Sequence, residues 1–160
     1  MITDATTEDV QKVCDGSTMR TNKVVDELRI ETAAQAAALI RAALPKEQKE
    51  ERVFVLPLDA HGKVLAKPIL VSVGHEDGTA AIDAGAIFRE AFKAGAEEII
   101  VAHNHPSGDP TPSKADYDTT VKLNEGASLV GLELLDHLII GAPESANGLG
   151  FLSMAELMAE

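Results

Sequence analysis

The chain has 160 residues, enough for one compact domain with a usable core. Hydrophobic residues make up 45%, which excludes a disordered chain, and aromatics at 3% leave Ala, Val, Leu and Ile to build the interior. The 14 Lys and Arg against 26 Asp and Glu give a formal charge of −12, with the basic residues scattered, and such a surface argues against direct nucleic-acid contact.

The opening MITDATTEDV has neither the basic start nor the apolar core of a signal peptide, and no apolar run is long enough to span a bilayer. The single cysteine, Cys14, forms no internal disulfide. A cytoplasmic protein in a reducing compartment is the expectation.

Residues 1–30 are mostly polar, with short amphipathic patterns around Val10 and Val13 and around Val24, Val25 and Leu28, and read as a helical extension or tail. Thr32-Ala33-Ala34-Gln35 has the form of a capping box and opens an Ala-rich helix that ends at Leu44, before Pro45. Lys46 to Glu51 is a charged connector. Val53–Leu58 is a strand, Asp59-Ala60-His61-Gly62 a turn, and Lys63–Val73 a returning strand in which Pro68 marks an edge or bulge. Asp77-Gly78 makes another turn. Ala84–Ala94 is a helix, with Ile87, Phe88, Ala91 and Phe92 at helical spacing and Gly95 as its stop. Ile99 to Ala102 is a strand buried on both faces, Ser113–Gly126 a helix, and Leu132–Ile140 a strand. Phe151 to Met158 is a short strand or helix. The order predicts an α/β fold with a mixed sheet flanked by helices.

One stretch carries the chemistry. His103 to Asp116 reads HNHPSGDPTPSKAD. In an extended strand, residues two apart face the same side, so His103 and His105 can address one metal while Asn104 points away and is free to hydrogen-bond the loop. The Pro/Gly turn folds the chain back, and Asp116 in the next helix supplies a third ligand. Three protein ligands plus water are the pattern of a catalytic zinc, one ion per chain, which brings water to a pKa of about 7. A base is needed too, and spacing alone leaves open which carboxylate it is. Ser113-Lys114-Ala115-Asp116 also fits a capping box. His61 and His75 fall in or near turns and read as exposed and inert. His137 reads as a core histidine paired with Asp136, and a role behind a metal ligand is open to this pair.

The wording of this stretch resembles the signature of the bacterial RadC-like proteins, within the JAB/MPN group of JAMM metalloproteases. That group's pattern is His-x-His, seven residues, Ser, two residues, Asp, filled here by His103, His105, Ser113 and Asp116. Glu51 to Asp59 and Leu134 to Gly141 resemble two of the family's strands, and the resemblance runs from about Ala33 to Ser153. It implies a cytidine-deaminase-like three-layer architecture and a JAB/MPN domain over 31–160. It also implies zinc on His103, His105 and Asp116, Ser113 as oxyanion donor, and Glu51 as general base. The implied function is a metallohydrolase cleaving peptide or isopeptide bonds of an unknown protein or peptide substrate, with no separate organic cofactor. The alternatives are a non-catalytic JAB-type interaction module and a DNA-repair accessory protein. An HNH nuclease spreads its residues over a longer unit, and a zinc deaminase needs a Pro-Cys-x-x-Cys pair that one cysteine cannot supply. The sequence departs from the family at Asp83-Ala84-Gly85-Ala86, where His-Pro-Arg-Glu is usual. It departs again at Ala142 to Gly150, and no helix-hairpin-helix pattern is found near its start.

Overall fold

Side chains alternate across the strand Arg52–Leu58 (β1), and both faces are covered. Phe54, Leu56 and Leu58 join one apolar cluster, while Val53 and Val55 join another. A strand buried on both faces needs a layer of helices on each side. The structure, a computed structural model, describes residues 28–74 and 82–159. Cys14, the amphipathic patterns before Leu28, His75 and the Asp77-Gly78 turn lie outside the described residues.

Five strands form one mixed sheet in the order β2-β1-β3-β4-β5. The others are Ile69–Val73 (β2), Glu98–Asn104 (β3), Glu133–Ile140 (β4) and Phe151–Ser153 (β5). β1 runs antiparallel to β2 and β3, β3 and β4 are parallel, and β5 is antiparallel to β4. A parallel pair requires a crossover, and the helix Lys114–Val130 (α3) provides it. One face is covered by Ala33–Ala43 (α1), whose Ala36, Ala37, Leu39 and Ile40 pack on Phe54, Leu56, Ile100, Leu138 and Ile140. The other is covered by Ala84–Lys93 (α2) and α3, through Ile87, Ala91, Leu123 and Ala127 on Val53, Val55, Ile99 and Val101. A last short helix, Met154–Met158 (α4), follows β5 directly, so the expected strand-or-helix is one of each.

The capping box at Thr32 and Gln35 is formed, and α1 stops with Leu44 as its C-cap before Pro45. Three expectations need correction. The returning strand does not begin at Lys63. Residues 63 and 64 make only isolated bridges, to Arg29 and Leu58, and the ladder starts at Ile69, just after Pro68, which has no N–H to give it. Phe92 is half exposed and is no core residue of α2, which buries only Ile87 and Ala91. Gly126 does not end α3. The helix runs on to Val130, and Gly131 takes the left-handed conformation (φ 84°) that closes it. Leu28 is buried and its carbonyl accepts from Val64 N–H, so the segment entering α1 is tied to the sheet.

Candidate metal centre

The strand register brings the site together. β1 starts where β3 ends, with Val53 opposite His103. A period of two then sets Glu51, Val53, His103 and His105 toward the α2/α3 face and turns Glu50 away. His103 is fully buried, while the side chains of His105, Asp116 and Glu51 keep 19%, 12% and 14% of their exposure. His103 Nε2 lies 3.2 Å from His105 Nε2 and 3.2 Å from Asp116 Oδ1, and His105 Nε2 is 3.2 Å from Asp116 Oδ2. One ligand atom from each residue falls within 4.8 Å of the others.

The spacing fits a small cation. Four ligands about 2.0–2.1 Å from a tetrahedral ion stand about 3.3 Å from one another. The hydrogen bonds fit as well. His105 Nδ1 faces the Asp109 carbonyl at 2.9 Å, and a carbonyl can only accept. His105 therefore carries a hydrogen on Nδ1, which leaves Nε2 as the atom that can offer a lone pair to a metal ion. His103, His105 and Asp116 are thus placed closely enough to hold a metal ion.

Charge follows the same geometry. Burial pushes the Asp116 carboxyl up, but the two imidazoles and the Ser113 N–H outweigh it and hold the group far below the usual carboxylate range. Asp116 in turn raises the proton affinity of His105 against the effect of burial. A proton and a metal cation compete for that place. Burial raises the Glu51 carboxyl, and the neighbouring imidazoles only partly offset this. Glu51 Oε1 is 3.8 Å from His103 Nε2, whereas Glu50 pairs with Arg52 at 3.5 Å on the surface.

Ser113 caps α3. Its hydroxyl oxygen accepts from Asp116 N–H at 3.1 Å, and Asp116 Oδ2 accepts from Ser113 N–H at 2.8 Å. One residue is thus both capping partner and third candidate ligand, because the box fixes the carboxylate that faces the histidines. His61 is exposed in its turn.

His137 is buried, as expected, but its ring is not paired with Asp136. The Asp136 carboxylate accepts from Ser153 Oγ at 2.6 Å, from Ala155 N–H at 3.0 Å and from the backbone N–H of His137 at 2.7 Å. The His137 ring lies instead between His103 Nδ1 and Thr120 Oγ1, at 2.8 Å and 2.7 Å. The alternation of β4 explains this, since His137 stands beside Val101 in register and shares the face of His103. Sequence reasoning missed Thr120. The available signal was its position one helical turn after Asp116.

Asn104 does point away from the metal-facing side, but the segment it binds is not the Pro/Gly loop. Its Oδ1 accepts from Arg52 N–H at 2.7 Å, and its Nδ2 donates to Gln48 Oε1 at 3.0 Å and to the Glu50 carbonyl at 3.1 Å. Those contacts bracket Glu51.

A mixed sheet between helices, with two imidazoles and a carboxylate converging where β3 meets α3, defines an α/β protein with a candidate metal centre. The chain belongs to the RadC-like JAB domain family, whose model matches residues 30–158. It is 46% identical over 94 residues to a UPF0758 protein of Carboxydothermus hydrogenoformans, covering 59% of this chain and 41% of that one. It is 39% identical over 115 residues to one of Clostridium perfringens, covering 72% and 49%. A third, of Acaryochloris marina, is 42% identical over 118 residues, covering 74% and 45%. The chain therefore spans less than half the length of these relatives. Among the described residues, no helix is long and apolar enough to cross a membrane.

Proposed function

We propose that the chain is a zinc-dependent hydrolase that cleaves amide bonds of the peptide or isopeptide kind in a protein or peptide substrate. The observation that carries this reading is the convergence of His103, His105 and Asp116 within 4.8 Å, with a half-buried carboxylate 3.8 Å from one of them. His103, His105 and Asp116 would hold the zinc, which when bound would supply Lewis acidity and lower the pKa of water to about 7. Glu51, whose proton affinity is raised by burial, takes the proton of the attacking water and returns it to the leaving amine. The Ser113 oxygen is used as an acceptor in the cap, which leaves its hydrogen free to donate to the oxyanion of the substrate.

Two measurements test this. Chain stripped with chelator and dialysed against zinc should retain about one ion each, and a protein that takes up none sinks the proposal. On a fluorogenic library of lysine-linked isopeptides, Glu51→Gln should lower turnover about 100- to 10,000-fold with zinc content unchanged. Undiminished turnover in that variant removes Glu51 as the base.

A further inference from the structure

A chain of hydrogen bonds runs from one candidate ligand back to another. Thr120 Oγ1 lies 2.8 Å from the backbone carbonyl of Asp116 and 2.7 Å from His137 Nδ1. His137 Nε2 lies 2.8 Å from His103 Nδ1. Thr120, His137 and His103 are all buried, at 8%, 1% and 0% exposure, so water does not compete for these atoms.

The polarity of the chain follows from donor counting. Thr120 has one hydroxyl hydrogen, and the Asp116 carbonyl can only accept. With that hydrogen given to the carbonyl, the Thr120 oxygen accepts from His137 Nδ1–H. The His137 ring is 1% exposed and neither of its hydrogen-bond partners is an acid, so the interior favours its neutral form. A neutral ring with hydrogen on Nδ1 offers a lone pair on Nε2. His103 then donates through Nδ1–H, which leaves its Nε2 bare, and Nε2 is the atom facing His105 and Asp116.

We infer that Thr120 and His137 are positioning residues that lock His103 in the tautomer whose Nε2 lone pair faces the metal. Outer hydrogen bonds to a metal-binding histidine usually run to a carboxylate or carbonyl. Here a second histidine and a threonine do the work, and the relay ends on the backbone of the third ligand. Ring orientation at His103 and helix placement at Asp116 are thereby linked. The inference rests on the metal-centre reading proposed above.

The test uses the full chain and zinc alone. In competition with a chromophoric chelator, Thr120→Val should bind zinc about 10- to 100-fold more weakly, and Thr120→Ser, which keeps the hydroxyl, should restore the wild-type value. A Val variant that binds as tightly as the wild type overturns the relay. Long-range 1H–15N spectra of the unmodified chain give a second readout that no folding defect can confuse. His137 should carry its hydrogen on Nδ1 before and after zinc is added, and a hydrogen on Nε2 overturns the proposal. If the chain takes up no zinc, the hydrolase reading falls, while the spectrum of the metal-free chain still decides the relay.

Discussion

Asn104 is a single side chain with three partners on the segment that carries Glu51. Its removal leaves the Arg52 N–H without an acceptor at a site only 1% exposed on the Asn104 side. A buried donor left unpaired costs about 1–3 kcal/mol, and a reacting group displaced by about 1 Å costs about 100-fold in rate. Asn104→Ala should therefore lose about 1–3 kcal/mol in urea unfolding and lower turnover about 100-fold, while zinc uptake persists. Loss of zinc together with turnover would place Asn104 with the ligands and not with the base. The residue scale also shows what the spacing disclosed. His103, His105 and Asp116 sit in one short stretch whose strand–turn–helix geometry is readable from residue types. Glu51 needed the family resemblance, because its phase depends on pairing with a strand far along the chain. Thr120 and the true partners of His137 depend on β3 and β4 lying parallel in a particular register, which no local pattern encodes.

Helix α3 shows where local signals mislead. The expected helix ended at Gly126, yet that glycine is an interior helix residue approached by a ring. A Cβ built there meets Phe88 atoms at 3.0 and 3.2 Å, so glycine serves the packing of α3 on α2. Alanine would gain about 1 kcal/mol of helix propensity, but crowding a packed aromatic costs about 1–3 kcal/mol. The crowding should win, and Gly126→Ala should be destabilised by up to about 2 kcal/mol in thermal or urea unfolding. In a Phe88→Leu background the same change should become neutral or stabilising. A destabilisation that persists there would mean that Phe88 is not the cause. The capping box of α1 and the doubly buried β3 were legible because each depends on its own residues. The extent of β2 was less so, since Pro68 marks a boundary without saying on which side the ladder lies.

Across the whole molecule, the site makes stability depend on pH in two directions when no metal is bound. His137 has its pKa lowered from 6.5 to about 3, so the folded state binds fewer protons than the unfolded state between those values. That contribution is complete above the unfolded pKa and is lost as pH falls toward the folded one. His105 is shifted upward, so its contribution is complete below pH 6.5 and is lost as pH rises through its folded pKa. Chelator-treated protein should accordingly be most stable near pH 6.5, with an acid limb of up to about 1.4 kcal/mol per pH unit. His137→Gln, which keeps a donor and an acceptor but does not titrate, should flatten the acid limb and spare the alkaline one. An unchanged acid limb would assign the slope to other groups.

The candidate ligands and the candidate base have unequal anchorage. The candidate ligands are rooted in the central pair of parallel strands and their crossover, whereas Glu51 ends a charged segment held to the sheet by the Asn104 side chain and by the Gly74 N–H that its carbonyl accepts. Detaching that segment exposes little apolar surface and belongs among the cheapest local openings of the fold. If the proposed activity holds, mild denaturant should thus lower turnover before zinc uptake is lost, and faster hydrogen exchange at the Arg52 amide would mark the event.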